Sequence, residues 1–116
     1  MNGNGENIVC VIYPERQPEI AMLDECEKLI RGFGMHIRTW NIPGCSGYGL
    51  MYDDRKILKV GREQFLIGPV IMYAGKYKND EIISLGQSEI EMLLKKLEDR
   101  TFNLGVDGTV FRAVKM

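Results

Sequence analysis

The longest unbroken apolar stretch near the start of the chain is NIVCVIY, in which apolar residues follow one another from Ile8 to Tyr13. A continuous run of β-branched and aromatic residues is typical of a strand that is buried on both faces. Pro14 ends the run, and Pro18 fits the first turn of a helix, where its missing N–H leaves no hydrogen bond unmade. The pattern therefore predicts a central strand over residues 7–13.

The spacing changes in EIAMLDECEKLIRGFG, where apolar residues recur three or four positions apart at Leu23, Cys26, Ile30 and Phe33. This spacing predicts a helix over residues 19–33 with one apolar face, and the glycines near its end fit a helix terminus. The segment MHIRTWNI predicts a second strand over residues 35–42. A strand, a helix and a strand in this order are typical of two parallel strands joined by a right-handed crossover.

The middle of the chain has a less regular pattern. After the loop PGCSGYG, the segment LMYDDRKILKVGREQF fits either a hairpin that turns at Asp53 and Asp54 or a short helix that begins there, and we favour the helix. Two apolar runs, over residues 70–73 and 81–85, flank a polar segment that contains Gly75. This arrangement predicts an antiparallel hairpin with a longer loop.

The last third of the chain carries two clear local signals. In SEIEMLLKKLEDR, Ser88 and Glu91 have the spacing of a capping box and the apolar residues line one face, so a helix is predicted over residues 88–100. In TFNLGVDGTVFRAV, Asp107 and Gly108 separate two alternating segments, which predicts a hairpin with a two-residue turn.

The order of these elements resembles that of the thioredoxin and glutaredoxin superfamily. In IGPVIMYAGKYKNDEIISLGQSEIEMLLKKL, a proline opens a strand, a hairpin follows, a glycine closes the next strand and an amphipathic helix ends the segment. Pro69 then resembles the family's cis-proline and Gly86 its strand-end glycine. LDECEKLIRGFGMHIRTWNI is similar in spacing to the family's first helix and the strand after it, so the resemblance covers about residues 7–100.

The resemblance implies an α/β fold, namely one thioredoxin-like domain over residues 1–116 built as a three-layer sandwich with a mixed central sheet. The core of this domain spans about residues 7–100. Residues 101–116 are expected to form an extra C-terminal hairpin that covers a sheet edge or builds a partner surface. The Gly68–Pro69 peptide bond is expected to be cis and to present a sheet edge to a ligand.

The residues that perform the family's chemistry are missing. Dithiol exchange needs a CxxC motif, or its first cysteine, at the N-terminus of the first helix, where the helix dipole lowers the thiol pKa. This position holds YPERQPE, and no cysteine lies between Val11 and Ala21. The sequence therefore favours a non-catalytic binding or regulatory module that acts through contacts with another protein.

The three cysteines leave one redox alternative open. Cys10 and Cys26 fall inside predicted elements, where a free cysteine packs as a small hydrophobic residue. Cys45 lies in the glycine-rich loop IPGCSGYG and is the thiol expected to be exposed, so a monothiol oxidoreductase using Cys45 is the alternative, although an inert loop cysteine is favoured. With one histidine, His36, and no CxxC, neither a metal site nor a cofactor is predicted.

The binding surface is expected at the strand-to-helix turn and near two other segments. Glu15, Arg16 and Gln17 offer two charges and an amide between two prolines, and a merely solvated turn is the plainer alternative. Tyr and Met are enriched at interfaces, so the aromatic residues after the glycine-rich loop are included. The candidate binding residues are Pro14, Glu15, Arg16, Gln17, Tyr48, Tyr52, Gly68 and Pro69. A small α/β domain with a ligand cleft is a third alternative.

Composition and charge narrow the class of partner. The 15 basic and 16 acidic residues give a net charge of -1, so no overall field attracts nucleic acid or anionic lipid. The chain is 45% hydrophobic, and no apolar run approaches the roughly 20 residues that span a bilayer. MNGNGEN lacks the basic and apolar regions of a secretory signal. We therefore expect a cytoplasmic protein with a protein partner, and neither nucleic acid nor membrane as its target.

Overall fold

In the computed structural model, which describes residues 7–76 and 81–116, the chain forms two antiparallel sheets and two α-helices. The larger sheet contains β1 (Ile8–Ile12), β2 (Glu19–Met22), β3 (Ile37–Asn41), β4 (Tyr48–Asp53), β7 (Val70–Lys76) and β8 (Glu81–Ile83). The smaller sheet contains β5 (Ile57–Val60), β6 (Glu63–Leu66), β9 (Thr101–Val106) and β10 (Thr109–Lys115). The helices are α1 (Glu27–Phe33) and α2 (Gln87–Leu97).

The larger sheet has the strand order β2-β1-β7-β4-β3, and β8 pairs with β7 next to the start of β1. β1 thus lies inside the sheet between β2 and β7, which confirms the predicted central strand. Its side chains alternate between two buried faces. Val9 and Val11 pack on one face, while Cys10 and Ile12 pack on the other.

Each face of the larger sheet has its own apolar core. On one face, α1 contributes Phe33 to a cluster with Val9, Val11 and Ile71. On the other face, α2 and the smaller sheet share a second cluster, the α2-side core, to which α2 contributes Ile90, Leu93 and Leu97. These three positions repeat every three or four residues, so one face of the helix is buried. The predicted helix over residues 88–100 is confirmed, with a 3₁₀ turn at Glu98–Arg100 as its last part.

The α/β thioredoxin-like fold class is wrong, because every strand pairing is antiparallel among the described residues and the fold is β-rich. β3 lies at the edge of the larger sheet beside β4, and the pairings make β3 run opposite to β1. The segment after the first turn is the source of the error. Residues 19–22 form β2 on the free edge of β1, where a helix was predicted, and α1 begins only at Glu27 after a 3₁₀ turn (Leu23–Cys26).

The predicted helix at Asp53 and Asp54 is also wrong. β4 ends at Asp53, and a tight turn is closed by a 2.9 Å hydrogen bond from the Lys56 N–H to the Asp53 carbonyl. The hairpin alternative was right about the turn but not about the pairing. β5 leaves the larger sheet and pairs with β6, so this turn is the point where the chain passes from one sheet to the other.

Three other predictions concern the second half of the chain. β7 and β8 pair antiparallel, as expected, although the loop between them lies outside the described residues. β9 and β10 form the expected two-residue hairpin, with positive φ at both Asp107 (52°) and Gly108 (82°). This hairpin belongs to the smaller sheet and adds Val114 to the α2-side core. The Gly68–Pro69 bond is trans, so the cis prediction is wrong.

Candidate functional site

The turn over residues 14–18, called the proline turn below, is fixed by β10. The Arg112 N–H donates to the Pro14 carbonyl at 2.8 Å, and Arg112 Nη1 donates to the Arg16 carbonyl at 3.0 Å. The Arg16 guanidinium in turn lies over the Tyr13 ring, 3.9 Å from its centroid. The turn is thus held by backbone and side-chain contacts to a strand from the other end of the chain.

A cleft of about 470 Å³ lies between the proline turn, the end of α2 and the smaller sheet. Its lining combines apolar side chains with five polar ones. The lining residues are Ile12, Gln17, Pro18, Leu94, Leu97, Glu98, Thr101, Asn103 and Arg112.

The polar wall of the cleft follows from the register of the β9–β10 hairpin. Arg112 pairs with Asn103 and Val114 pairs with Thr101, so these four side chains lie on the same face of the smaller sheet. At one end of that face Val114 joins the α2-side core. Further along, the same face turns polar at Arg112 and Asn103, and this part of the sheet forms the wall of the cleft.

Two charged groups in the cleft have no ion-pair partner within the described residues. Arg112 is half-buried and uses one N–H on the Arg16 carbonyl, while Arg16, Arg31, Arg38 and Arg55 each contact a carboxylate. Glu98 lies in the same cleft outside any of these ion pairs. The Thr101 hydroxyl donates to the Leu97 carbonyl at 2.7 Å. The remaining Arg112 N–H groups and the two amides are therefore the groups placed to contact a ligand.

Among the candidate residues of the proline turn, some line the cleft and others hold the turn in place. Gln17 lines the cleft beside Pro18, while Pro14 and Arg16 act as anchors through their carbonyls. The side chain of Glu15 is exposed outside the cleft lining.

Pro69 lies at the same end of the larger sheet as the proline turn, because Ile12 pairs with Val70. Gly68 packs against Lys56: a Cβ built on this glycine would stand 2.9 Å from the Lys56 Cβ. Neither residue lines the cleft. Gly68 and Pro69 therefore lie near the proline turn but do not contribute to the cleft.

The two tyrosines do not form the surface that the sequence predicted. Tyr52 is buried in the α2-side core. Tyr48 lies at the opposite end of β4, and its hydroxyl donates to the Glu89 carboxylate at the start of α2. That hydrogen bond raises the pKa of Tyr48 and lowers the pKa of Glu89. The pair ties the helix to the sheet, which is a structural role.

All three cysteines are buried free thiols. Cys45 is only 7% exposed and packs in the α2-side core, so the expectation that it is exposed is wrong. Burial raises the pKa of Cys10 to about 11. The pKa of Cys26 is also raised, first by burial and then by the nearby charges of Glu25 and Asp24. Both shifts work against the thiolate form that exchange chemistry needs.

A second polar cluster joins the end of β4 to α1. Asp53, only 4% exposed, accepts hydrogen bonds from Arg55 Nε at 2.9 Å and Nη2 at 2.7 Å. The same Nη2 donates to the Gly32 carbonyl at 2.6 Å. Hydrogen bonding from Arg55 lowers the pKa of Asp53. Because each charge in this pair is matched by the other, the cluster supports the fold.

Comparison with protein-family models, curated proteins and solved structures finds no match to this chain. Within residues 7–76 and 81–116, no three His, Cys, Asp or Glu side chains stand close enough together to hold a metal ion. No helix in the same ranges has the length and apolar character needed to cross a bilayer.

Sequence reasoning missed the partners of the proline turn. Leu94 and Leu97 were recognised as part of an amphipathic helix, and the position of Arg112 opposite Asn103 follows by counting outward from the turn at Asp107 and Gly108. The approach of this hairpin to the proline turn has no local signal. Arg112 and Arg16 are 96 positions apart, and no local pattern in the sequence shows that two such distant segments meet.

Proposed function

We propose that this protein is a non-catalytic binding module that takes a segment of another protein into the cleft beside the proline turn. One observation carries the proposal. The cleft combines an apolar floor at Ile12, Leu94 and Leu97 with a guanidinium, Arg112, that has free donors and no carboxylate partner in the described chain. Binding sites typically combine apolar lining with a few fixed polar groups in this way.

The lining defines the chemistry of the segment. An apolar side chain fits against Leu94 and Ile12, and a carboxylate of the ligand accepts hydrogen bonds from Arg112, which suits the planar guanidinium. The amides of Gln17 and Asn103 are placed to bind backbone groups of an extended peptide. The ligand that we propose is therefore a short segment with an acidic residue next to a large apolar one.

The lining supports binding over catalysis because it offers no activated nucleophile. The Thr101 hydroxyl is the nucleophilic group among the lining residues, and it donates to a backbone carbonyl and not to a base. The redox alternative at Cys45 needs an accessible thiolate, and the burial of that thiol argues against it.

Peptide selection tests the proposal. We expect displayed peptides enriched on the immobilised protein to share an acidic and a large apolar residue. Their affinity for the Leu94→Asp variant should be at least about tenfold weaker, which corresponds to about 1.4 kcal/mol. Met92→Asp is the matched control, because Met92 is exposed on the same helix and does not line the cleft. We expect its affinity to stay within about twofold of the wild type, since it leaves the lining unchanged.

Two results would contradict the proposal. One is a selection that enriches no peptide. The other is a set of enriched peptides that bind Leu94→Asp as well as they bind the wild type. A small carboxylate that binds with the same dependence on Leu94 and Arg112, while peptides do not, would support the ligand-cleft alternative instead.

A further inference from the structure

The cleft beside the proline turn contains a carboxylate, that of Glu98, to which the proposed function gives no role. Glu98 and Arg112 both line the cleft, and no ion pair joins them within the described residues. Different elements hold the two groups. Arg112 donates to the Arg16 carbonyl of the proline turn, whereas Glu98 directly follows the last residue of α2. The cleft therefore presents one positive and one negative charge, and each is open to a ligand.

The position of Glu98 at the C-terminal end of α2 favours a cation beside it. The carbonyl groups at this end of a helix carry a partial negative charge, and the carboxylate adds to it. The two lysines of the last turn, Lys95 and Lys96, are exposed and form no ion pair with Glu98 in the part of the chain that the structure describes. A positive group of a ligand is therefore attracted here both by the carboxylate and by the helix terminus.

The register of β9 and β10 sets the spacing between the two charges. The Thr101 N–H donates to the Glu98 carbonyl, so Glu98 is fixed at the start of β9. Thr101 pairs with Val114, and the next pair on the same face of the sheet is Asn103 with Arg112. This step of two residues along a strand is about 7 Å long. Two side chains that are two positions apart on an extended peptide have the same separation and the same direction.

We infer, on the basis of the proposed function, that the segment bound in the cleft carries a basic residue two positions from its acidic residue, and that Glu98 binds the basic side chain. The acidic side chain is attracted by Arg112 and repelled by Glu98, while the basic side chain is attracted by Glu98 and repelled by Arg112. Complementary charges of this kind fix the register of a bound segment. The two charges of the cleft therefore determine in which direction the segment lies, and they disfavour a segment with acidic residues at both positions.

The exposure of Glu98 limits the strength of this contact. Ion pairs that are open to solvent contribute little to affinity, because water and salt screen the attraction. We expect the affinity of a bound peptide to fall about threefold when glutamine replaces its basic residue. Glutamate at the same position should lower the affinity at least about fivefold, because it is repelled by Glu98. The contact thus adds selectivity to a site whose affinity comes mainly from the apolar floor and Arg112.

Titration of the protein with three versions of one selected peptide tests this inference. The versions carry lysine, glutamine or glutamate two positions from the acidic residue, on each side of it in turn. On one side, the wild type should prefer lysine to glutamate at least about fivefold, and Glu98→Lys should reverse this preference. Asp99→Lys is the matched control, because it makes the same change of charge at the neighbouring exposed residue, which does not line the cleft. In about 0.15 M salt, which screens charges beyond about 8 Å, this variant should keep the wild-type preference.

Two results overturn this inference and leave the proposed function in place. In the first, the wild type binds all three versions equally while binding still requires Leu94. In the second, Glu98→Lys and Asp99→Lys change the preference to the same extent, which assigns it to the net charge of the protein. If no version binds the wild type, the proposed function fails and this inference fails with it. If Glu98→Lys does not fold, as judged by circular dichroism, Glu98→Gln decides, because it should reduce the preference for lysine over glutamate to within about twofold.

Discussion

Asp53 is the one charged side chain that is buried among the described residues, and its burial depends on a neighbour two positions along the chain. Arg55 reaches back to the carboxylate and also to the Gly32 carbonyl, so one ion pair closes the turn between the two sheets and holds α1. The sequence DDR, at residues 53–55, shows that two acidic residues and a basic residue are close along the chain. It does not show which of the two aspartates turns inward.

We expect Asp53→Asn to lower the free energy of unfolding at pH 7 by about 1–2 kcal/mol. This estimate is reduced from that of a fully buried pair because Arg55 is half exposed. The pKa of Asp53 is lower in the folded state than its ordinary value of 3.8. Its contribution is therefore fully present well above pH 3.8 and is lost as the pH falls through the lower, folded-state pKa.

Urea unfolding at a series of pH values measures this effect. The difference between wild type and Asp53→Asn should be constant from neutral pH to about pH 5 and should shrink below the ordinary pKa. Asp99→Asn, at an exposed position outside the ion pairs of the described chain, is the control and should change stability little. A difference that grows as the pH falls would contradict the assigned role of Asp53.

The burial of the thiols gives a second prediction about individual residues. We expect all three cysteines to react slowly with a disulfide reagent in native buffer and rapidly in denaturant, because each is at most 7% exposed. The thiol introduced by Ser46→Cys, one position after Cys45 on an exposed residue, provides a fast reference. A native thiol that reacts as fast as this reference, and disappears in Cys45→Ser, would revive the monothiol alternative.

At the scale of elements, the sequence correctly predicted the strands, helices and turns that have a recognisable local sequence pattern. β1 is an unbroken apolar run, α2 has a helical repeat with a glutamate three residues after its N-cap, and the β9–β10 turn has Asp107 and Gly108. The capping contact itself is displaced by two residues. Glu89 accepts the Gly86 N–H at 2.7 Å, whereas Ser88 and Glu91 were the expected pair. Local sequence signals therefore predict whether a segment is a helix or a strand better than they predict the residues at which it begins and ends.

β2 and β3 were not predictable in the same way. Four residues, EIAM, fit the first turn of an amphipathic helix as well as a short strand, and the free edge of β1 decides between them. The strand at 37–41 was found, but its neighbour was not, because pairing between distant strands leaves no pattern in either one. The sequence predicted only part of the cleft for the same reason. Gln17 was among the predicted binding residues, whereas Arg112, which lies on a distant strand, was not.

The β9–β10 turn and α1 allow a matched test of two glycines. Gly108→Ala should lower the free energy of unfolding by about 1–2 kcal/mol, because φ at this position is 82° and an L-residue with a Cβ is strained there. Gly32→Ala should raise it by about 0.5–1 kcal/mol, because Gly32 lies within α1 with open space around its missing Cβ.

Chemical denaturation of both variants shows directly whether each substitution lowers or raises the free energy of unfolding. Stabilisation by Gly108→Ala would show that the hairpin turn differs from the one described. Destabilisation by Gly32→Ala would show that the Gly32 carbonyl, which accepts from Arg55, is sensitive to changes in the helix backbone.

At the scale of the whole molecule, the α2-side core links the two sheets. Leu66 and Val114 of the smaller sheet belong to the same cluster as Leu50 and Met72 of the larger one, and α2 packs in it with Leu93. Apolar side chains that share one core lose their contacts together. The two sheets are therefore expected to unfold as one cooperative unit.

Leu66→Ala tests this coupling. The residue is 1% exposed, so we expect a loss of about 2–5 kcal/mol in the free energy of unfolding. Trp40 is the single tryptophan and lies on β3 of the larger sheet, far along the chain from the substitution. Its fluorescence and the far-ultraviolet circular dichroism should report the same shifted midpoint. Two separate transitions, with Trp40 unaffected, would show that the sheets unfold independently.

The hydrogen bond from Arg112 to the Arg16 carbonyl also determines when the cleft exists during synthesis. A ribosome adds about 5–20 residues per second, so the proline turn emerges several seconds before Arg112 has been joined to the chain. During that interval the turn lacks both of the contacts that fix it, and the wall formed by Asn103 and Arg112 has not been made. A nascent chain to which Arg112 has not yet been added therefore lacks this cleft, and a partner of the proposed kind would find no binding site on it.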